Sequence, residues 1–206
     1  MSTPPTAPSP ELTAILSAAL DLFYESGYHG TSVRDIARRV GLTVPALYYH
    51  HENKEALLYA LLDTSITEVI ARCRAALECA GPAPADRFLQ LIECIVLYIA
   101  SNEKLAAMDA EIRSLGPQNR RRYGAKRRQV EVMLVTCIED GVASGDFDVT
   151  SPAETARALL GMTQAVATWF RPGGRMSART VARHYVDIAA HTVGAAPGRI
   201  AALRCR

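Results

Sequence analysis

The sequence predicts an all-α protein of nine helices in two domains. Three observations carry this: apolar residues recur at three- and four-residue intervals along most of the chain, no alternating run exceeds a few residues, and Gly/Pro pairs punctuate the segments. With 206 residues, 49% hydrophobic and 21% charged, there is enough chain for one well-buried core and a small satellite domain. A net charge of +2 singles out no class of partner, and no internal repeat is visible. No apolar run reaches the roughly 18 residues of a membrane helix, so no membrane partner is expected. The opening MSTPPTAPSP has neither the basic region nor the apolar stretch of a secretion signal. Residues 1–10 therefore read as a disordered tail, and the protein as cytoplasmic.

The elements follow in order. Residues 11–25 carry Leu12, Ile15, Leu16, Ala19, Leu22 and Phe23 at helical spacing and stop at Gly27. Ser32-Val33-Arg34-Asp35 has the form of a capping box, after which Val33, Ile36, Ala37 and Val40 make one apolar stripe ending at Gly41. Thr43 caps a third helix, with Pro45 tolerated in its first turn, and Asn53 caps a fourth running to about residue 80, before Gly81-Pro82. Further helices are predicted over 84–101, 103–115, 118–143, 152–170 and 178–193, divided by Gly116-Pro117, Gly145 and Pro172-Gly173-Gly174. Ser151-Pro152-Ala153-Glu154 reads as another capping box. The five cysteines (Cys73, Cys79, Cys94, Cys137, Cys205) form no C-x-x-C pair and are expected to be reduced thiols.

A short capped helix, a turn at Gly41-Leu42 and a second short capped helix make a helix-turn-helix unit. Val33, Ile36 and Val40, with Leu42 and Leu47, can bury one side of the pair. That leaves Thr43, Val44, Pro45, Ala46, Tyr48, Tyr49 and His50 largely unburied on the second helix. Small residues at its start allow the backbone close to base edges in a major groove, and Thr43 with the helix N-terminus suits phosphates, as do Tyr49 and His50. Charge alone does not mark this site. Residues 1–54 hold Arg34, Arg38, Arg39 and Lys54 against Glu11, Asp21, Glu25, Asp35 and Glu52, a net of −1. Affinity for DNA must then lean on neutral donors, helix N-termini and a second copy of the domain.

The stretch TSVRDIARRVGLTVPALYYHHENKEALLYALL, residues 31–62, resembles the N-terminal DNA-binding segment of the TetR family of one-component bacterial transcriptional regulators. That resemblance implies a three-helix DNA-binding head (11–54), a connecting fourth helix, and an effector-binding and dimerisation body (55–206). It further implies a homodimer formed by the last two helices on a near-palindromic double-stranded operator, acting as a repressor released by a small effector. The family's contact positions fall on Thr31 and Arg34, and on Thr43, Val44, Pro45, Ala46, Tyr48, Tyr49 and His50; Lys54 takes a phosphate-contact position. The chain departs from the family pattern at His51, where phenylalanine is usual, at Val44, where a basic or small residue is common, and in a tail without Lys or Arg.

In the body, ATWFRPGGRMSARTVARHYVDIA (167–189) and EIRSLGPQNRRRY (111–123) resemble TetR-type regulators of fatty-acid, steroid and other acyl-CoA catabolism, which implies an acyl-CoA thioester as effector. Arg120, Arg121, Arg122, Lys126, Arg127 and Arg128 either hold ligand phosphates or form a solvated face. Tyr98, Met108, Met133, Met162 and Trp169 either wall a cavity or are plain core. Glu111, if it faces a cavity, suits the alternative of a drug-efflux regulator sensing cationic or aromatic compounds.

The eighth helix is rich in small residues, and the ninth carries apolar and ring side chains along one side, so the two can make a self-complementary four-helix interface. Its expected residues are Ala156, Val181, His184, Tyr185 and Ile188. His184 and His191 lie two turns apart, a spacing for packing, so no metal or cofactor is expected. A catalytic role is not expected either, because the chain has no Gly-rich phosphate loop, no H-E-x-x-H and no G-x-S-x-G.

Overall fold

The computed structural model describes residues 10–195; the expected tail up to residue 9, and Cys205, lie outside the described residues. Ten α-helices and one 3-10 segment are present, with no strand among the described residues. They are α1 (Ala14–Ser26), α2 (Val33–Arg39), α3 (Val44–His50), α4 (Lys54–Cys79), α5 (Pro84–Ser101), α6 (Glu103–Ala107), a 3-10 turn (Met108–Ser114), α7 (Pro117–Ala143), α8 (Pro152–Gln164), α9 (Val166–Trp169) and α10 (Ala178–Thr192). The nine expected helical segments are all there, two of them subdivided. Residues 103–115 tighten from α6 into the 3-10 turn, and 152–170 break at Ala165. At that break the Thr163 hydroxyl donates to the Leu160 carbonyl at 3.0 Å and Thr168 to Ala165 at 2.7 Å. Hydroxyls that bond back to helix carbonyls bend the ladder.

The chain forms two compact units. The head unit runs to Glu68 and takes in Asn102–Lys126; the body unit holds Val69–Ser101 and the described residues from Arg127 onward. The units part within α4.

In the head unit, Ile15, Leu16, Ala19 and Phe23 give α1 its buried face, and the Phe23 ring meets the Tyr28 ring edge-on at 5.1 Å. The capping box of α2 forms as expected, with Ser32 Oγ accepting the Asp35 N–H and the Asp35 carboxylate accepting the Ser32 N–H, both at 3.2 Å. The Ser32 hydroxyl and, after it, the Ser32 N–H donate to the Asp35 carboxylate and, ahead of the neighbouring Arg38 and Arg34 charges, hold it below its ordinary value. Gly41, at φ +69°, makes the left-handed turn between α2 and α3 that a side chain would strain. Leu57, Leu58, Leu61 and Leu62 of α4 are all but fully buried. The segment 102–126 is tied in by α6 packing on α1, by Lys104–Asp21 at 2.7 Å and by Lys126–Asp63 at 2.7 Å.

The body unit is organised around α5, which packs against α8, α9 and α10. Its buried residues, from Ala85 and Phe88 to Ile99 and Ala100, cover most of the helix surface, as a central helix requires. Phe147 lies edge-on to Phe88 at 5.1 Å, with its ring where a side chain on residue 141 would stand, so Gly141 is needed there. The expected capping box at the start of α8 does not form: Ser151 makes no cap bond, and Glu154 instead pairs with Arg157 at 3.0 Å. Of the cysteines, Cys73 and Cys137 are buried, Cys94 half-buried and Cys79 exposed, all as free thiols. Burial pushes the Cys137 thiol up to about 11.

Candidate nucleic-acid interface

The recognition helix α3 is only seven residues long, too short to persist in water on its own. Thr43 caps it by accepting the Ala46 N–H at 3.3 Å, and the N–H of His51 closes its last turn on the Leu47 carbonyl at 3.0 Å. One residue anchors it. Leu47 is 0% exposed, beneath a helix whose other residues are open to solvent or half-open. Tyr49 is 88% exposed and Tyr48 46%, with Thr43, Pro45 and His50 also exposed and Val44 and Ala46 half-buried. The Tyr49 and His50 rings meet edge-on at 5.5 Å, so one aromatic pair projects from the end of the helix. The expected outward set is therefore present. The expected inward set is smaller than the spacing suggested: Leu42 is 38% exposed, because it sits in the turn and contributes its N–H to the Ala37 carbonyl at 2.9 Å. Val33 and Val40 are half-buried.

Two residues expected at DNA also bond within the head. Thr31 is buried, and its hydroxyl donates to the carbonyls of Leu22 at 3.0 Å and Gly27 at 2.9 Å. Lys54 is half-buried; its Nζ donates to the carbonyls of Tyr28 at 2.9 Å and Thr31 at 3.0 Å and lies 4.4 Å from the Tyr28 ring centroid. Other cations of the head are paired as well: Arg39 with Glu25 at 3.2 Å, and Arg38 with Asp35 at 3.5 Å. Arg34 is exposed at the start of α2, as expected.

Glu55 and Tyr28 were not singled out by spacing. The Glu55 carboxylate accepts the Gly116 N–H at 2.8 Å and the Asn119 amide at 3.0 Å, tying the start of α4 to the start of α7. Burial, followed by the charges of Glu55 and Glu111, raises the Tyr28 phenol above its ordinary value. The bracketing Gly27 and Gly30 do mark Tyr28 as part of a tight turn. The Lys54 partner of Tyr28 and the Gly116 and Asn119 partners of Glu55 lie tens of residues away, beyond any local pattern.

The expected effector residues do not gather within either unit. Met108, Glu111, Arg120 and Arg121 belong to the head unit, and Tyr98, Met133, Met162 and Trp169 to the body unit. Tyr98 and Met108 are buried, with the Arg72 guanidinium 5.2 Å from the Tyr98 ring centroid. Met133 and Met162 are half-buried, and Glu111 accepts the Ser114 hydroxyl at 3.4 Å. Arg120 is exposed, but its guanidinium folds back to donate to the carbonyls of Arg113 and Leu115, both at 2.7 Å, so its charge serves the turn before α7. Lys126 is likewise bound to Asp63 and Thr67, while Arg121, Arg122, Arg127 and Arg128 are exposed. Trp169 is 42% exposed and stacks on Tyr185 at 6.4 Å and 22°. Among the described residues no cluster suited to a metal occurs, and no helix is long and apolar enough to cross a membrane.

The expected dimer set also divides. Ala156 is 0% and Val181 1% exposed, so both are core of the body unit, where α10 lies on α5, and not residues of an outer face. His184 and Ile188 are exposed and Tyr185 half-buried. The buried side of α10 is made by Val181, Ala182, Ala189 and Ala190, whereas His184, Ile188 and His191 are exposed.

Residues 15–61 match the family model described as bacterial regulatory proteins, tetR family, and residues 81–193 match the tetracyclin repressor-like C-terminal domain. The HTH-type transcriptional repressor KstR2 of Rhodococcus jostii is 28% identical over 178 residues, spanning 85% of this chain and 87% of that protein. The structure of a tetR-family bacterial regulatory protein from Rhodococcus RHA1 superposes with a TM-score of 0.84 at 31% identity, covering 89% of this chain and 96% of that one. AibR in complex with isovaleryl coenzyme A and operator DNA gives a TM-score of 0.78 at 25% identity, over 85% and 95% of the two chains.

Proposed function

The chain belongs to the TetR family of bacterial regulatory proteins, and from that premise we propose that it is a repressor released from its operator by an acyl-CoA thioester. The observation that carries the DNA-binding half is α3, whose one buried residue is Leu47 and which presents Tyr48, Tyr49 and His50 outward. Two copies joined through the outer face of α10, at His184, Tyr185 and Ile188, present two such helices to a near-palindromic duplex. An operator of this kind makes the cytoplasm the working compartment.

The repressor reading is supported by KstR2 of Rhodococcus jostii, a transcriptional repressor, and the thioester reading by AibR, solved with isovaleryl coenzyme A and operator DNA. Charge supports it too. The exposed Arg175, Arg179 and Arg183 suit a ligand with several phosphates, whereas Arg157 pairs with Glu131 and Glu154 and Arg171 donates to the Thr168 and Phe170 carbonyls. The exposed Arg121 and Arg122 offer further cations, whereas Arg120 and Lys126 are already bound internally.

The test uses the full-length protein and a duplex spanning the promoter of its own gene, followed by fluorescence anisotropy. Isovaleryl-CoA and a series of longer acyl-CoAs are titrated beside the matching free acids. Release by thioesters but not by acids is expected. Release by a cationic dye, with no response to any thioester, overturns this reading in favour of an efflux regulator.

A further inference from the structure

Two cysteines of the body unit touch across neighbouring helices. Cys73 stands on α4 and Cys94 on α5, both within that unit, and the Cys73 thiol donates a hydrogen bond to the Cys94 sulfur. A second contact fixes the same crossing. The guanidinium of Arg72, the residue before Cys73, lies 5.2 Å from the ring centroid of Tyr98, one helical turn beyond Cys94. Among the described residues no group of three metal-ligating side chains gathers, so the fold builds a dithiol here and not a cation site.

The two thiols are unequal. Cys73 is 0% exposed, whereas Cys94 is half-buried. The hydrogen bond from Cys73, helped by the Arg72 charge, holds the Cys94 thiol below its ordinary value against its own burial and the Glu93 charge. That same bond, and after it burial, pushes the Cys73 thiol up. One sulfur therefore favours the thiolate and lies within reach of a small oxidant, while its neighbour stays protonated and shielded. Cys137 is buried with its thiol raised, and so lacks both properties of Cys94.

We propose that Cys94 and Cys73 form a hydroperoxide-responsive dithiol, with Cys94 as the attacking sulfur and Cys73 as the resolving one. The Cys94 thiolate attacks the peroxide: an S–O bond forms, the O–O bond breaks, and the released alkoxide or hydroxide takes the proton that Cys94 gave up. The Cys73 sulfur then attacks the sulfenic sulfur of Cys94, so that an S–S bond forms, the S–O bond breaks, and the hydroxyl leaves as water with the Cys73 proton. Two thiols are oxidised to a disulfide, and one hydroperoxide is reduced to an alcohol, or water, and water. Closing the sulfurs from hydrogen-bond contact to a bond of about 2.0 Å draws α4 toward α5. Helix α4 runs unbroken back to Lys54, just after α3, so the disulfide acts on operator binding. That consequence rests on the DNA-binding reading; the chemistry of the pair does not.

The experiment treats reduced full-length protein with hydrogen peroxide at neutral pH and maps the cysteine peptides by mass spectrometry. The expected product is a Cys73–Cys94 disulfide, reversed by dithiothreitol. It should form about tenfold faster than Cys79 is oxidised, because an ordinary thiol is only a few per cent ionised at neutral pH. In Cys73→Ala, Cys94 should stop at the sulfenic acid and be captured by dimedone, and Cys94→Ser should leave Cys73 a thiol. Should Cys73→Ala not fold, Cys73→Ser replaces it, and the kinetics of the parent need neither variant. No reaction at Cys94, a rate at or below that of Cys79, or a disulfide joining any other pair overturns the proposal. The effect on DNA is read separately, on a duplex that the reduced protein selects from a random-sequence pool. Failure to select any sequence is failure of the DNA-binding reading, and the peptide map then decides the dithiol by itself. Oxidation should lower affinity for the selected duplex about tenfold, with recovery in dithiothreitol and no such drop in Cys94→Ser. Oxidised protein that binds within about twofold of the reduced form overturns the regulatory role.

Discussion

Leu47→Ala should cripple DNA binding while leaving most of the protein folded. Leu47 is 0% exposed and is the buried residue of α3, a helix of seven residues packed on α2. Truncation removes about three methylene equivalents, at about 0.8 kcal/mol each, or about 2.4 kcal/mol. The cavity left behind brings the expected cost to about 3 kcal/mol. Because the other α3 residues are exposed or half-buried, little else holds the helix down, and the loss falls on its docking. A change of about 3 kcal/mol shifts that equilibrium roughly 150-fold, and the operator sees only the docked fraction. Amide hydrogen exchange should show α3 losing protection while α5 of the body unit keeps its own. Anisotropy should show operator affinity falling by about tenfold or more, with Leu47→Met, a near volume match, close to the parent. If Leu47→Ala binds the operator within about twofold of the parent and α3 exchange is unchanged, the single-anchor account of the recognition helix is wrong.

Tyr49→Ala tests the outward face: at 88% exposure the ring carries almost no packing, so the melting temperature should hold while operator affinity drops about tenfold. An unchanged affinity would remove Tyr49 from the interface. His51→Phe tests a pH effect. Burial, and after it the His50 charge, hold the His51 imidazole below its ordinary 6.5, so the unfolded chain binds the extra proton first as pH falls. Stability should therefore decline as pH drops from about 6.5 towards the folded-state value, then level off with respect to this group, and His51→Phe should lose that part of the decline. Parallel melting curves for parent and variant between about pH 7 and 5 would refute the assignment.

By itself the sequence determined the helical class, the helix-turn-helix and its outward residues. Each of those is a local property: apolar spacing within one helix, a cap three residues from its partner, a glycine at a turn. The capping box of α2 and the exposure of Tyr48, Tyr49 and His50 follow from residues close enough to interact in any chain of that pattern. Local pattern also has limits even at short range. Ser151 and Glu154 have the cap spacing, yet Glu154 is drawn to Arg157.

Tertiary structure alone decided what the polar and half-apolar residues do, because a side chain with several donors takes whichever acceptor the fold brings within 3 Å. Lys54 finds carbonyls 23 and 26 residues away, Arg120 the turn before α7, and Glu55 an amide 61 residues away. Val181 and Ala156 were decided in the same way. An apolar helix side announces burial, and only the position of α5 makes that burial internal to the body unit, leaving Ile188 and His184 for an outer face.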